Sequence, residues 1–205
     1  DLKAENKEPF FNILFTLSSH NPYDFEGEYK FGKDTEEDKF KSSLAFTDNA
    51  VNDFVTFAKQ QTWWNNTLVI IMADHGNPLP EHDGEFNSPK RFHIPMLWIG
   101  GALNQSDTIL TNFCSQTDFA FTLTDMLNGD NSEFEWGKNL FSTSNKNFAH
   151  YTFNKGFGAL NQNGYVVYDY VENDTIDGNG SSMWELLKLG KATTQITFQD
   201  FIDRH

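Results

Sequence analysis

Hydrophobic positions are spread unevenly along the chain, and their spacing predicts alternating strands and helices. Residues 10–17 are apolar except for Asn12 and Thr16, which predicts a buried strand closed by the polar turn Ser18-Ser19-His20-Asn21-Pro22. A loop rich in Gly, Asp and Glu follows. Between residues 36 and 61, apolar side chains recur at Leu44, Val51, Phe54, Val55 and Ala58, a helical stripe expected to face a core, and Asp48 lies on it. Asn65-Asn66 interrupts the chain. Residues 67–73 are then apolar almost throughout, as expected of a strand covered on both faces, and Asp74-His75-Gly76 sits at its C-terminal end.

A polar loop with Pro78, Pro80 and Gly84 leads to a second predicted strand over residues 93–99, in which Pro95 favours an edge or a strand start. Residues 117–127 have helical spacing through Phe121, Leu123 and Leu127, with Asp118 suited to the first turn. Beyond Gly129 the texture changes. Residues 148–152 and 164–170 read as strands of a meander, and residues 183–189 and 196–202 as helical stretches. The order reads as α/β, with a core over residues 1–145 and a small antiparallel β-plus-helix lobe over residues 146–205.

Composition narrows the class. Apolar residues make up 38% of the 205, and 21 are Phe, which is enough to build a core. The net charge of −14 would repel a polyanion, and no basic stripe relieves it, so no nucleic-acid partner is expected. An anionic ester remains an acceptable substrate provided a divalent cation inverts the local field. Cys114 is the single cysteine, which precludes an intrachain disulfide and reads as a small buried hydrophobe. No apolar run approaches a membrane span, and the N-terminus is no signal peptide. The chain starts at Asp1 without Met, close to a predicted core strand, so a segment of a longer polypeptide is expected.

Open α/β sheets bind ligands at the C-terminal ends of their strands, where Ser18-Ser19-His20 and Asp74-His75-Gly76 both fall. Adjacent carboxylate and imidazole groups on a strand-end turn can reach one divalent ion, and Gly76 lets the backbone bend sharply. The alternatives are an Asx turn with a surface histidine at residue 75 and a turn-capping histidine at residue 20.

The motifs Leu17-Ser18-Ser19-His20-Asn21-Pro22-Tyr23, Leu44-Ala45-Phe46-Thr47-Asp48 and residues 66–76 resemble, in that order, the sulfatase-like domains of lipoteichoic acid synthases and related phosphoglycerol transferases of the alkaline phosphatase superfamily. His93-Ile94-Pro95-Met96-Leu97, residues 117–127 and Trp136-Gly137-Lys138-Asn139-Leu140-Phe141 extend the match. The resemblance implies the C-terminal part of an alkaline phosphatase-like sheet-and-helix sandwich. It makes Asp74 and His75 metal ligands for Mn, Mg, Zn or Ca, and His20 a catalytic histidine beside the leaving oxygen. Relatives often use a later histidine beside the substrate, which makes either His82 or His93 a candidate substrate-binding residue, the alternative for each being a solvent-facing loop histidine.

In that superfamily a Thr, a Ser or a Cys-derived formylglycine attacks phosphorus or sulfur. The resemblance places this nucleophile and the remaining acidic ligands N-terminal to residue 10, so no ester turnover is expected of these 205 residues alone. The implied substrate is an anionic phosphate or sulfate ester, lipid- or glycan-linked. The implied location is the extracytoplasmic face of a bacterial cytoplasmic membrane, with membrane contact through N-terminal segments outside this sequence.

Several residues admit two readings. Asp48 is either a structural carboxylate or a support for the active loop. Trp63-Trp64 either seals a sheet edge or offers a sugar platform. Lys90 and Arg91 either help hold an anion or are solvated loop charge. Two functions of other classes stay open, a non-catalytic relative and a glycan-binding module of the cell envelope.

Overall fold

A computed structural model describes residues 9–81, 84–104, 107–142 and 147–205. The chain divides into two units, one of Asp1–Leu68, Leu79–His82 and Gly100–Ala102, the other of Val69–Pro78, Asp83–Ile99 and Leu103–His205.

The first unit is built on α1 (Glu36–Ala58). Thr35 caps it by accepting from the Asp38 amide at 3.0 Å, and Glu36, Glu37 and Asp38 place negative charge where the helix dipole favours it. The buried positions of α1 are Phe40, Ser42, Ser43 and Ala58. Of the predicted stripe, only Ala58 is therefore buried; Leu44 is 45% exposed and Phe54 39%. Polar Ser42 takes a core position because its hydroxyl is satisfied, donating to Gly32 O at 3.0 Å and accepting from the Phe31 amide. Tyr23, Phe40 and Leu79 make the small core of this unit, with the Tyr23 and Phe40 rings edge-to-face.

Residues 10–17 differ from the prediction. They form no strand among the described residues, and Leu14 is 89% exposed. An apolar run becomes a strand only where a neighbour supplies ladder hydrogen bonds, which composition cannot provide by itself.

In the second unit, β1 (Val69–Met72) pairs antiparallel with β2 (Met96–Ile99), in register from Val69↔Ile99 to Met72↔Met96. All four residues of β1 are half-buried, less covered than a two-sided strand. Next comes α2 (Asp118–Met126), at the predicted place. Asp118 does more than suit the first turn. Its buried carboxylate accepts from the Ser115 amide at 2.8 Å, the Lys138 amide at 3.0 Å and Lys138 Nζ at 2.7 Å, tying the helix start to the turn at residue 138.

The rest of the second unit contains a meander in the order β3 (Phe148–Phe153), β4 (Gly156–Asn161), β5 (Gly164–Asp169) and β6 (Asp174–Gly180). The predicted helical stretches prove to be one continuous helix, α3 (Met183–Arg204). Between them Gly190 disfavours helix by about 1 kcal/mol and the β-branched Thr193 and Thr194 by roughly half a kcal/mol each, too little to break it. Phe157, Ala159, Val166, Tyr168 and Leu186 form the core between sheet and helix. Among the described residues no helix is long and apolar enough to cross a membrane.

Candidate functional site

The ladder between β1 and β2 continues one residue past the strand, the Ala73 amide donating to Pro95 O at 3.3 Å, and the chain then turns through Asp74-His75-Gly76. Asp74 and His75 are exposed. Asp74 Oδ1 accepts from the His75 amide at 3.0 Å, and Asp74 Oδ2 stands 3.7 Å from His75 Nε2. His75 Nδ1 lies 3.0 Å from Gly76 O. A carbonyl only accepts, so Nδ1 carries the proton, which leaves Nε2 as the ring nitrogen able to offer a lone pair. That is the arrangement in which a ligating histidine is held by a backbone carbonyl.

The 3.7 Å between Asp74 Oδ2 and His75 Nε2 is less than twice a metal–ligand bond of about 2.1 Å, so both atoms can reach one cation. By chemistry and by spacing, the pair fits a divalent ion. Among the described residues no group of three or more His, Cys, Asp or Glu surrounds such an ion.

Two further contacts seat this turn. Gln116 Nε2 donates to Asp74 O at 3.1 Å. A Cβ on Gly76 would lie 2.0 Å from Arg91 O, so only glycine allows the turn to rest on the backbone of the segment after it.

His20 belongs to the first unit. Its Nδ1 lies 2.7 Å from Asn21 O, the same use of the following carbonyl that His75 makes, which again leaves Nε2 as the outward nitrogen. The turn is anchored to α1. Thr47 Oγ1 donates to Ser43 O at 3.0 Å, so it accepts from Ser18 Oγ at 2.7 Å and, more weakly, from Ser19 Oγ at 3.3 Å. Asn21 Nδ2 donates to Glu36 Oε1 at 2.8 Å. Sequence reasoning had weighed Asp48 as the support; Asp48 is exposed, and the anchor is its neighbour Thr47.

His93 is exposed just after the short 3-10 turn Pro89–Phe92, and His82 lies outside the described residues. Trp63 is half-buried and meets Phe10 edge-to-face at 6.4 Å, which favours sealing over an open sugar platform. Burial, and then the Asp118 carboxylate, push the Cys114 thiol above its ordinary range, consistent with an unreactive packed group. His150 was not singled out in the sequence. Burial holds it neutral, its pKa lowered to about 4, with Nε2 3.1 Å from Thr194 Oγ1.

A sulfatase family model matches residues 1–129, more than half of the chain. The chain belongs to the sulfatase family. It is 26% identical over 105 residues to a lipoteichoic acid synthase of Staphylococcus saprophyticus, covering 45% of this chain and 16% of the synthase. In structure it is similar to an alkaline phosphatase superfamily protein from Vibrio parahaemolyticus, with a TM-score of 0.76 and 23% identity over 97% of this chain and 50% of that one. It is also similar to the lipoteichoic acid synthase LtaP from Listeria monocytogenes, with a TM-score of 0.64 and 16% identity over 90% of this chain and 52% of that one. These likenesses show that the sulfatase-family chain shares the fold of the matched parts of these two proteins. It spans about half the length of these two structural neighbours.

Proposed function

We propose that this sulfatase-family chain carries part of the catalytic centre of an enzyme that cleaves or transfers a phosphate or sulfate ester, with Asp74 and His75 holding a divalent cation and His20 acting at the leaving oxygen. The observation that carries the reading is the His75 ring, whose Nδ1–H is fixed by Gly76 O while Nε2 stands 3.7 Å from Asp74 Oδ2. A bound cation would polarise the ester oxygens and neutralise the charge that develops on them.

The chain's own residues then divide the work. Asp74 contributes negative charge that offsets the cation, and Gln116 and Gly76 keep its carbonyl and the turn in place. His20, with Nδ1 engaged by Asn21 O, can deliver a proton only from Nε2, which fixes the direction from which a leaving oxygen must approach. His93 and His82 remain candidates for contacting the rest of the substrate.

The phosphoglycerol-transferase branch is preferred, because the Ser18-Ser19-His20-Asn21-Pro22-Tyr23 turn and the Asp-His pair resemble it and two of the similar proteins are lipoteichoic acid synthases. The substrate class is then a lipid- or glycan-linked phosphate ester at the outer face of a bacterial cytoplasmic membrane. To test this, a chromogenic phosphodiester and a sulfate ester are supplied, with Mn, Mg, Zn or Ca, to the longest natural polypeptide that carries this segment. Turnover should vanish in Asp74→Ala, and His20→Ala should lower kcat more than it raises KM. Full activity in Asp74→Ala would overturn the reading.

A further inference from the structure

The lobe lies beyond the segment matched by the sulfatase model, yet one of its side chains reaches the support of the Asp74-His75-Gly76 turn. Alternation along β3 turns His150 toward α3, where it meets Thr194, and Tyr151 toward the opposite face of the sheet. On that face Tyr151 is paired with Gly158, whose missing side chain makes room for the ring: a Cβ there would lie 2.0 Å from Tyr151 Cζ. The ring stacks on Phe92 with centroids 4.1 Å apart and planes 18° from parallel, and the hydroxyl donates to Asn87 O at 2.7 Å. Asn87 and Phe92 bracket the turn that contains Arg91, and the Arg91 carbonyl is the group against which Gly76 is packed.

We infer that Tyr151 is a positioning residue, clamping the segment from Asn87 to Phe92 so that its backbone holds Gly76, and with it Asp74 and His75, in the conformation described. The two attachments are of different kinds, a polar one at Asn87 and an aromatic one at Phe92, so the segment is fixed at both ends against sliding and lifting. Burial raises the Tyr151 hydroxyl above its ordinary range, which keeps it a donor at all working pH values. The functional meaning of the clamp rests on the proposed metal-binding role of Asp74 and His75; the clamp itself does not.

The test uses the whole chain without metal and reads two sites by NMR, the exchange rate of the Arg91 amide, which donates to Ser88 O at 3.0 Å, and the Nδ1–H population of the His75 ring. Tyr151→Phe keeps the stack and loses one hydrogen bond. It should speed exchange at Arg91 about two- to tenfold and lower the Nδ1–H population, while amides of β5 and α3 keep their rates. Tyr151→Leu should do so more strongly, and Gly158→Ala should resemble it by displacing the ring. Unchanged Arg91 and His75 signals in Tyr151→Phe and Gly158→Ala would overturn the clamp, and a response confined to β4 and β5 would do the same by reducing Tyr151 to a packing role. Mn added afterwards separates the two claims. Failure to broaden the His75 signals of the unsubstituted chain counts against the metal reading, and the clamp is still judged by the metal-free signals.

Discussion

Ser18 is held by Thr47 through a hydrogen bond of 2.7 Å, and its direction is settled because the Thr47 hydroxyl is already given to Ser43 O at 3.0 Å. Thr47 therefore holds one side of the turn that presents His20, and Glu36, also on α1, holds the other by accepting from Asn21. Thr47→Val keeps the shape and removes the acceptor, leaving Ser18 and Ser19 to find water. The expected cost is about 1 kcal/mol, with faster exchange of the His20 amide, which donates to Leu17 O at 3.0 Å. Urea unfolding and amide exchange check both; an unchanged His20 amide would remove Thr47 from the account.

His150 predicts acid sensitivity where β3 packs on α3. Its folded pKa of about 4 lies below the ordinary 6.5 because burial penalises the charged ring, so the unfolded chain takes up the proton first as pH falls. Stability is intact above about pH 6.5 and is lost as pH falls toward about 4, by roughly 3 kcal/mol in total. Carboxylates titrate in the same window, so the informative quantity is the difference between the parent and His150→Gln. The variant should show a shallower loss between about pH 7 and pH 4.5, measured by denaturant unfolding. Parallel pH profiles would contradict this assignment.

Asp118 supports the start of α2 and pairs with Lys138, whose Nζ also donates to Phe148 O at 2.8 Å. Asp118→Ala leaves the ammonium half-buried without its counter-charge and two amides without acceptors. A loss of about 3–5 kcal/mol is expected in urea unfolding. Asp118→Ala combined with Lys138→Met should recover part of it, since the unpaired charge is then gone.

How much of this was legible in the sequence depends on how local the determinants are. The strand that precedes Asp74 and the helix starting at Asp118 follow from periodicity and from residues at the element itself, and both lie within the spans the pattern predicts. The Asp74-His75-Gly76 turn was legible for the same reason. Residues 10–17 were misread because a strand needs a partner whose presence no local pattern encodes. The stripe on α1 failed where satisfied serines replaced apolar residues at Ser42 and Ser43. Thr47, Gln116 and Tyr151 were missed because each acts through a contact distant in sequence: Tyr151 meets Asn87 across 64 positions and Gln116 meets Asp74 across 42. A tyrosine opposite a glycine in neighbouring strands was the signal available for Tyr151, and it becomes visible only once the register is known.

The central claim, that Asp74 and His75 bind a divalent cation, is tested most directly by titrating the 205-residue chain with Mn and with Zn in a calorimeter, beside Asp74→Ala and His75→Ala. Two protein donors are fewer than the four or more of a closed site, so the expected result is weak binding of one ion that either substitution abolishes. Tight binding that both variants retain would place the metal elsewhere and contradict the account.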